Sequence, residues 1–91
     1  MRLVLGIPGT FSLKDKRSVV SRVRDRVRNR FPVSIAEVDA LDEWDRAVFG
    51  ISMVSNDARH IESTLDKVVD FVEELHVAEV LDDWKEIEAW S

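Results

Sequence analysis

The chain has no cysteine, and it is poor in the residues that interrupt secondary structure or bind metals. The absence of cysteine excludes disulfides, thiolate metal sites and cysteine nucleophiles. There are two histidines, three glycines and two prolines, and no apolar run is long enough to cross a membrane. No linker or repeat divides the 91 residues, so we predict a single domain spanning residues 1–91 and a cytoplasmic location.

The sequence also lacks a recognisable catalytic pattern. Neither His60 nor His76 has a second histidine or a carboxylate at a known metal-ligand spacing, and no Ser-His-Asp set can be assembled from them. The acidic segment 39–45 lacks the glycine and the terminal glutamate of an EF-hand loop. Asp82 and Asp83 would point to opposite faces of a strand. We therefore expect a protein that is not an enzyme and that uses no cofactor or metal.

The hydrophobic pattern predicts six elements in the order β-α-β-β-α-β. Two helices, each with one apolar stripe, must cover the same face of a four-stranded sheet, because right-handed crossovers place both on one side. This predicts an α+β fold, the ferredoxin-like split β-α-β plait with an antiparallel sheet. Ser12 is predicted to cap the first helix, with Asp15 completing a capping box. The predicted elements are a strand over Met1–Ile7, a helix over Leu13–Phe31, strands over Val33–Val38 and Ala47–Val54, a helix that follows Ser55–Asp57 and bears Ile61, Leu65, Val68, Val72 and Leu75, and a last strand within Ala78–Trp90.

Charge is divided unequally along the chain. The formal net charge is −5, yet the segment Lys14–Phe31 holds eight basic residues and two acidic ones. Residues 32–91 hold four basic and sixteen acidic residues. An asymmetry of this size indicates either a polyanionic partner or pairing between the two parts of the chain.

The basic residues of the first helix fall on two flanks of its apolar stripe when they are placed at about 100° per residue. One flank carries Lys14, Arg17, Arg24 and Arg28, and the other carries Arg22, Arg26 and Arg30. The first flank could follow the phosphate backbone of RNA, alone or in a ribosomal particle. Lys16 is assigned to the same nucleic-acid or anion site, although it projects towards the apolar side. Gly9 and Thr10, at the start of the helix, could help to hold a single phosphate.

Three other interpretations of this basic helix remain open. The arginines could lay their aliphatic stems over the core edge and keep their charges in water. They could pair with Glu62, Asp66 and Glu73 on the second helix, since the two helices pack side by side. They could also bind an acidic protein.

The sheet face that the helices leave open suggests a second kind of partner. This face is predicted to expose Val4, Val48, Gly50 and Ser52. It has no aromatic residue on its central strands, so RNA binding in the manner of an RNA-recognition motif is not expected. Small apolar residues instead favour sheet-to-sheet packing in a homodimer, with Trp44 contributing. We expect Trp44, Trp84 and Trp90 to serve core packing or an oligomer interface.

Three segments carry a resemblance to a known family. They are "SLKDKR" (Ser12–Arg17), "AEVD" (Ala36–Asp39) and "VSND" (Val54–Asp57). Together they resemble the YlxP-like family of small bacterial proteins of unknown function, over nearly the whole chain and more weakly after Val77. The resemblance implies a ferredoxin-like fold and no catalytic residues. Members of the family are often encoded beside transcription-termination, translation-initiation and ribosome-binding factors, which implies, by association, a role near RNA or the ribosome.

Overall fold

Six elements follow one another in the predicted order. The computed structural model describes residues 1–89, so Trp90 and Ser91 lie outside the described residues. The elements are β1 (Arg2–Gly6), α1 (Leu13–Arg30), β2 (Ser34–Asp39), β3 (Arg46–Ser52), α2 (Ala58–Glu74) and β4 (Glu79–Trp84). The strands form one antiparallel sheet in the order β2-β3-β1-β4. The predicted α+β plait is therefore confirmed.

The start and the end of α1 follow from local chemistry. The Ser12 hydroxyl accepts a hydrogen bond from the Asp15 backbone N–H (3.1 Å), and the Asp15 carboxylate accepts one from the Phe11 N–H (3.2 Å). The first bond satisfies one of the donors that the first turn of a helix leaves unpaired, and the second holds the residue before the cap against that turn. The helix ends at Arg30, and Phe31 is extended (φ −125°) because Pro32 disfavours a helical conformation in the residue before it.

The hydrophobic core lies between the helices and one face of the sheet. Full burial of one such aliphatic side chain stabilises the fold by about 1.5–3 kcal/mol, so the core supplies most of the driving force. Phe31, just after α1, packs edge-on against Phe71 of α2, with their ring centres 5.5 Å apart. The central buried residues are Leu3, Leu5, Phe49 and Ile51 from the sheet, Val20, Val23 and Val27 from α1, and Leu65, Val68 and Val72 from α2.

Each edge strand contains a bulge that interrupts the regular pairing. The register shifts between Glu37 and Asp39 on β2, which leaves Val38 without a partner on β3. It shifts again between Asp82 and Val80 on β4, which leaves Leu81 without a partner on β1. Each bulge places two consecutive residues on the open face of the sheet, Val38 with Asp39 and Leu81 with Asp82. Both bulge residues are apolar and more than half exposed.

Candidate functional site

Helix α1 exposes its cations in two rows, one on each flank. The β2-side row consists of Lys14, Arg17, Arg24 and Arg28, and its Arg28 guanidinium donates to the carbonyl oxygen of Ile35 in β2 (3.3 Å). The α2-side row consists of Arg22, Arg26 and Arg30, and its Arg30 guanidinium lies 5.1 Å from the centre of the Phe71 ring in α2. All seven side chains are exposed except that of Arg24, which is partly buried. The flank next to α2 is therefore the row Arg22, Arg26 and Arg30.

These seven cations do not pair with the acidic second helix. Within residues 1–89, the only ion pair made by either row joins Arg24 to its neighbour Asp25 (3.2 Å). The expected pairing with Glu62 and Asp66 is wrong, because both carboxylates instead meet Lys85 just after β4. The hydrogen bond to Asp66 raises the pKa of the Lys85 ammonium above its ordinary value. In residues 1–89, no carboxylate of α2 therefore lies within 4 Å of a cation in either row.

Lys16 differs from its neighbours because it is a buried residue. Its side chain is 2% exposed, and its Nζ lies 2.9 Å from Oε2 of Glu37, a mostly buried residue of β2. The same Nζ donates to the carbonyl oxygen of Ala40 (2.6 Å). No hydrogen bond of good geometry reaches Glu37 Oε2, so its contact with Lys16 is mainly Coulombic. The assignment of Lys16 to a nucleic-acid site is therefore wrong, since a phosphate cannot reach its ammonium.

The loop that receives Lys16 is held in an unusual conformation. Ala40 has a φ of 56°, in the left-handed region that residues with a Cβ seldom adopt. Its N–H donates to the Asp39 carboxylate (2.8 Å), and its carbonyl accepts both from Lys16 and from the Glu43 N–H (3.1 Å). The bond from Lys16 fixes the loop between β2 and β3 against the first turns of α1, and the other two hold the turn within the loop.

The start of α1 already carries a negative charge. The carboxylate of Asp15 lies in the first turn and accepts from the Phe11 N–H. The hydroxyl of Thr10, which was expected to help hold a phosphate, donates to the carbonyl oxygen of Trp44 (2.6 Å). Gly9, with a φ of 77°, shapes the turn that leads into the helix. The Asp15 carboxylate and the hydrogen bond of Thr10 therefore occupy the place where a bound phosphate was expected.

The open sheet face is more crowded at its centre than its sequence indicates. Val48 is 0% exposed, so it has no surface with which to contact a partner, and its assignment to a dimer interface is wrong. Gly50 is covered by Val38, whose Cγ1 lies 3.0 Å from the position a Cβ on Gly50 would take. Leu81 covers Gly6 in the same way, at 3.3 Å. The large apolar side chains that this face presents to solvent are therefore those of the two bulge residues and of Trp84, which is the register partner of Arg2.

Charged residues surround this apolar centre. Arg2 pairs with Asp39 across the face, with 3.8 Å between Arg2 Nη2 and Asp39 Oδ2. Asp82 is the register partner of Val4, which is partly buried, and so lies on the same face. Ser52 ends β3 and is exposed. The open face combines a small apolar centre with a charged rim, which is the usual layout of a protein–protein contact.

The two described tryptophans are both on the surface. Trp44 is 53% exposed and lies in the loop between β2 and β3 rather than in a strand of the open face. Trp84 is 59% exposed and pairs with Arg2, at the end of β4. Core packing, one of the two expected uses, is wrong for both. Trp90, the third, lies outside the described residues.

Residues 1–89 have neither a cluster of metal-ligating side chains nor a membrane-spanning helix. No group of three or more histidine, aspartate and glutamate side chains in this part of the chain is arranged to hold a metal ion. Neither of its two helices is long and apolar enough to cross a membrane.

Comparison with known proteins assigns the chain to a family. A family model described as "Protein of unknown function (DUF503)" matches residues 1–83. The chain belongs to the DUF503 family. It is also 44% identical over 62 residues to a protein of Bacillus subtilis (strain 168) described as "Uncharacterized protein YlxP", a match that covers 68% of this chain and 67% of the relative. The resemblance expected from the sequence is confirmed.

Two of the three segments that carried the resemblance meet in space in this DUF503 chain. Lys16 belongs to "SLKDKR" and Glu37 to "AEVD", and the two side chains form the buried ion pair. "VSND" supplies Asp57, whose carboxylate accepts from the N–H groups of Arg59 and His60 and begins α2. These motif positions therefore have structural roles: a helix cap and a buried contact between α1 and β2.

Replacing Lys16 should destabilise the fold far more than replacing an exposed cation of the same helix. Lys16→Met leaves the Glu37 carboxylate buried without its partner, so we expect the free energy of unfolding to fall by about 3 kcal/mol. Lys16→Met combined with Glu37→Leu should cost less than Lys16→Met alone. Urea denaturation followed by circular dichroism measures both changes.

Arg24→Gln is the matched control, because its ion pair with Asp25 lies at the surface, with Arg24 only partly buried, and its loss should cost about 0–1 kcal/mol. A loss for Lys16→Met no larger than that of the control would show that the buried pair does not fix α1 to the sheet.

Proposed function

We propose that this protein is a non-enzymatic module that binds RNA, alone or in a ribosomal particle, through the exposed cations of α1. The observation that carries the proposal is that all seven cations of the two rows lack a carboxylate partner from any other element within residues 1–89. Cations that are one or two turns apart on a helix, and that have no partner from another element, match the negative charges along a nucleic-acid backbone. We place this interaction in the cytoplasm.

The overall negative charge of the chain does not oppose this proposal. Electrostatic interactions between exposed groups are screened over about 8 Å at physiological ionic strength, so the local charge of α1 matters more than the net charge. Two acidic residues of α2, Glu62 and Asp66, contact Lys85 beside β4. Strand β4 lies at the edge of the sheet opposite β2. The β2-side row is thus remote from this acidic pair.

RNA binding should weaken with salt and should depend on the β2-side row. For four phosphate contacts, the slope of log K against log salt should be about −3. Arg17→Glu with Arg28→Glu should reduce affinity for a fluorescent RNA stem-loop by at least about tenfold, because two attractive contacts become repulsive. Fluorescence anisotropy over a series of salt concentrations measures both quantities.

The matched control is Arg59→Glu with Lys67→Glu, which makes the same change of net charge on exposed positions of α2. The control should bind the stem-loop as the unmodified protein does. The proposal fails if no binding is detected at low salt, or if the control pair and the α1 pair lose affinity equally.

A second candidate function is assembly into a homodimer through the open sheet face. The observation that favours it is the presence of three large exposed apolar side chains on this face, those of Val38, Leu81 and Trp84. Residues Arg2, Asp39 and Asp82 at the rim include both signs of charge, so a second copy related by a two-fold axis could meet opposite charges.

Sedimentation equilibrium at micromolar concentration tests the homodimer. The unmodified protein should sediment at twice its monomer mass, and Leu81→Lys should sediment as a monomer because it places a charge in the apolar centre of the contact. Ser63→Lys, which adds the same charge to an exposed position of α2, should remain a dimer. A monomer in the unmodified protein, or a dimer that Leu81→Lys leaves intact, would contradict this candidate.

A further inference from the structure

The exposed surface of α1 has two parallel lines of positive charge with a polar crest between them. The rows emerge on opposite flanks, one beside β2 and one beside α2. Between them lie Ser18, Asp25 and Asn29, all exposed, at about 120–160° in the helical projection. The Asp25 carboxylate is held by Arg24, which reduces the negative charge on the crest.

The spacing of the rows matches two phosphate backbones better than one. An α-helix with its side chains is about 10–12 Å across, and the stretch from Lys14 to Arg30 is about 24 Å long at 1.5 Å per residue. A single strand offers one line of phosphates, so it can engage one row at a time. A duplex offers two lines of phosphates, one on each side of a groove, and both rows can then bind together.

The short side chains of the crest select between the grooves of nucleic-acid duplexes. The major groove of B-form DNA admits a helix and is about 8.5 Å deep, and the commonest base-specific contact there is made by an arginine or a lysine. The crest has no arginine or lysine for that contact and offers only a serine hydroxyl, an aspartate carboxylate and an asparagine amide. The minor groove of an RNA duplex is wide and shallow and displays 2′-hydroxyl groups, which such side chains can hydrogen-bond.

We propose that α1 lies along the minor groove of double-stranded RNA, with the β2-side row on one phosphate backbone and the α2-side row on the other. In this arrangement Ser18 and Asn29 face the 2′-hydroxyl groups of the groove floor. This inference rests on the proposed function, since it names the form of RNA that the same helix binds. Recognition is by shape and backbone, so it does not depend on base sequence.

Two double substitutions with equal charge changes test the inference. Arg17→Gln with Arg28→Gln removes two cations from the β2-side row, and Arg22→Gln with Arg26→Gln removes two from the α2-side row. Each is titrated by fluorescence anisotropy, at several salt concentrations, against a blunt RNA duplex, one of its single strands, and a DNA duplex of the same sequence. Arg59→Gln with Lys67→Gln, on α2, is the control with the same charge change.

We expect the unmodified protein to bind the RNA duplex more tightly than either the single strand or the DNA duplex. Both α1 variants should lose affinity for the RNA duplex by similar factors. Both should also have a salt slope shallower by about 1.8, since each gives up two contacts of about 0.9. The control should bind as the unmodified protein does.

The other outcomes separate this inference from the proposed function. If the single strand binds as tightly as the duplex, or if only the β2-side variant loses affinity, the duplex inference is overturned while RNA binding by α1 stands. Equal or tighter binding of the DNA duplex also overturns it. If none of the three nucleic acids binds at low salt, both proposals fail.

Discussion

The buried ammonium of Lys16 fixes the rotation of α1 about its own axis. It reaches Glu37 at 2.9 Å and the carbonyl oxygen of Ala40 at 2.6 Å, and it is 2% exposed. A charged group in that position is stable only with its partners in place, so the helix cannot roll without a large cost in free energy. Because this rotation is fixed, Val20, Val23 and Val27 face the core, and one row of cations emerges beside β2 and the other beside α2.

The sheet order then keeps the charged surfaces apart. Strands β2 and β4 lie at opposite edges of the sheet. The β2-side row therefore lies on one side of the domain, and the ion pairs of Lys85 with Glu62 and Asp66 lie on the other. The bulges at Val38 and Leu81 interrupt both edge strands, and such irregularity opposes edge-to-edge association. The surfaces left for partners are therefore the exposed side of α1 and the open face of the sheet.

Most of the fold followed from the sequence, whereas the site followed only in part. The strands, helices and caps were predictable because their signals are local. The hydrophobic period marks the elements, Ser12 and Asp57 cap the two helices, and Pro32 ends the first one. The position of Lys16 near the apolar stripe indicated its burial. Its partners could not be predicted, because they lie in β2 and the next loop, which are distant in sequence. The bulges were not predictable from the sequence. Regular alternation places Val48 on the open surface, and it gives no sign that the side chain of Val38 will cover Gly50. The exposure of Trp44 and Trp84 also lacks a local signal.

The measurement that tests this account most directly is an NMR titration of the isotope-labelled protein with a short RNA duplex, observing the arginine side-chain Nε–H groups and the backbone amides together. The account predicts that the signals of arginines in both rows of α1 shift as RNA is added. The amides of Val38, Leu81 and Trp84 on the open face should stay in place. Shifts confined to the open face, or an unchanged spectrum in the presence of excess duplex at low salt, would contradict it.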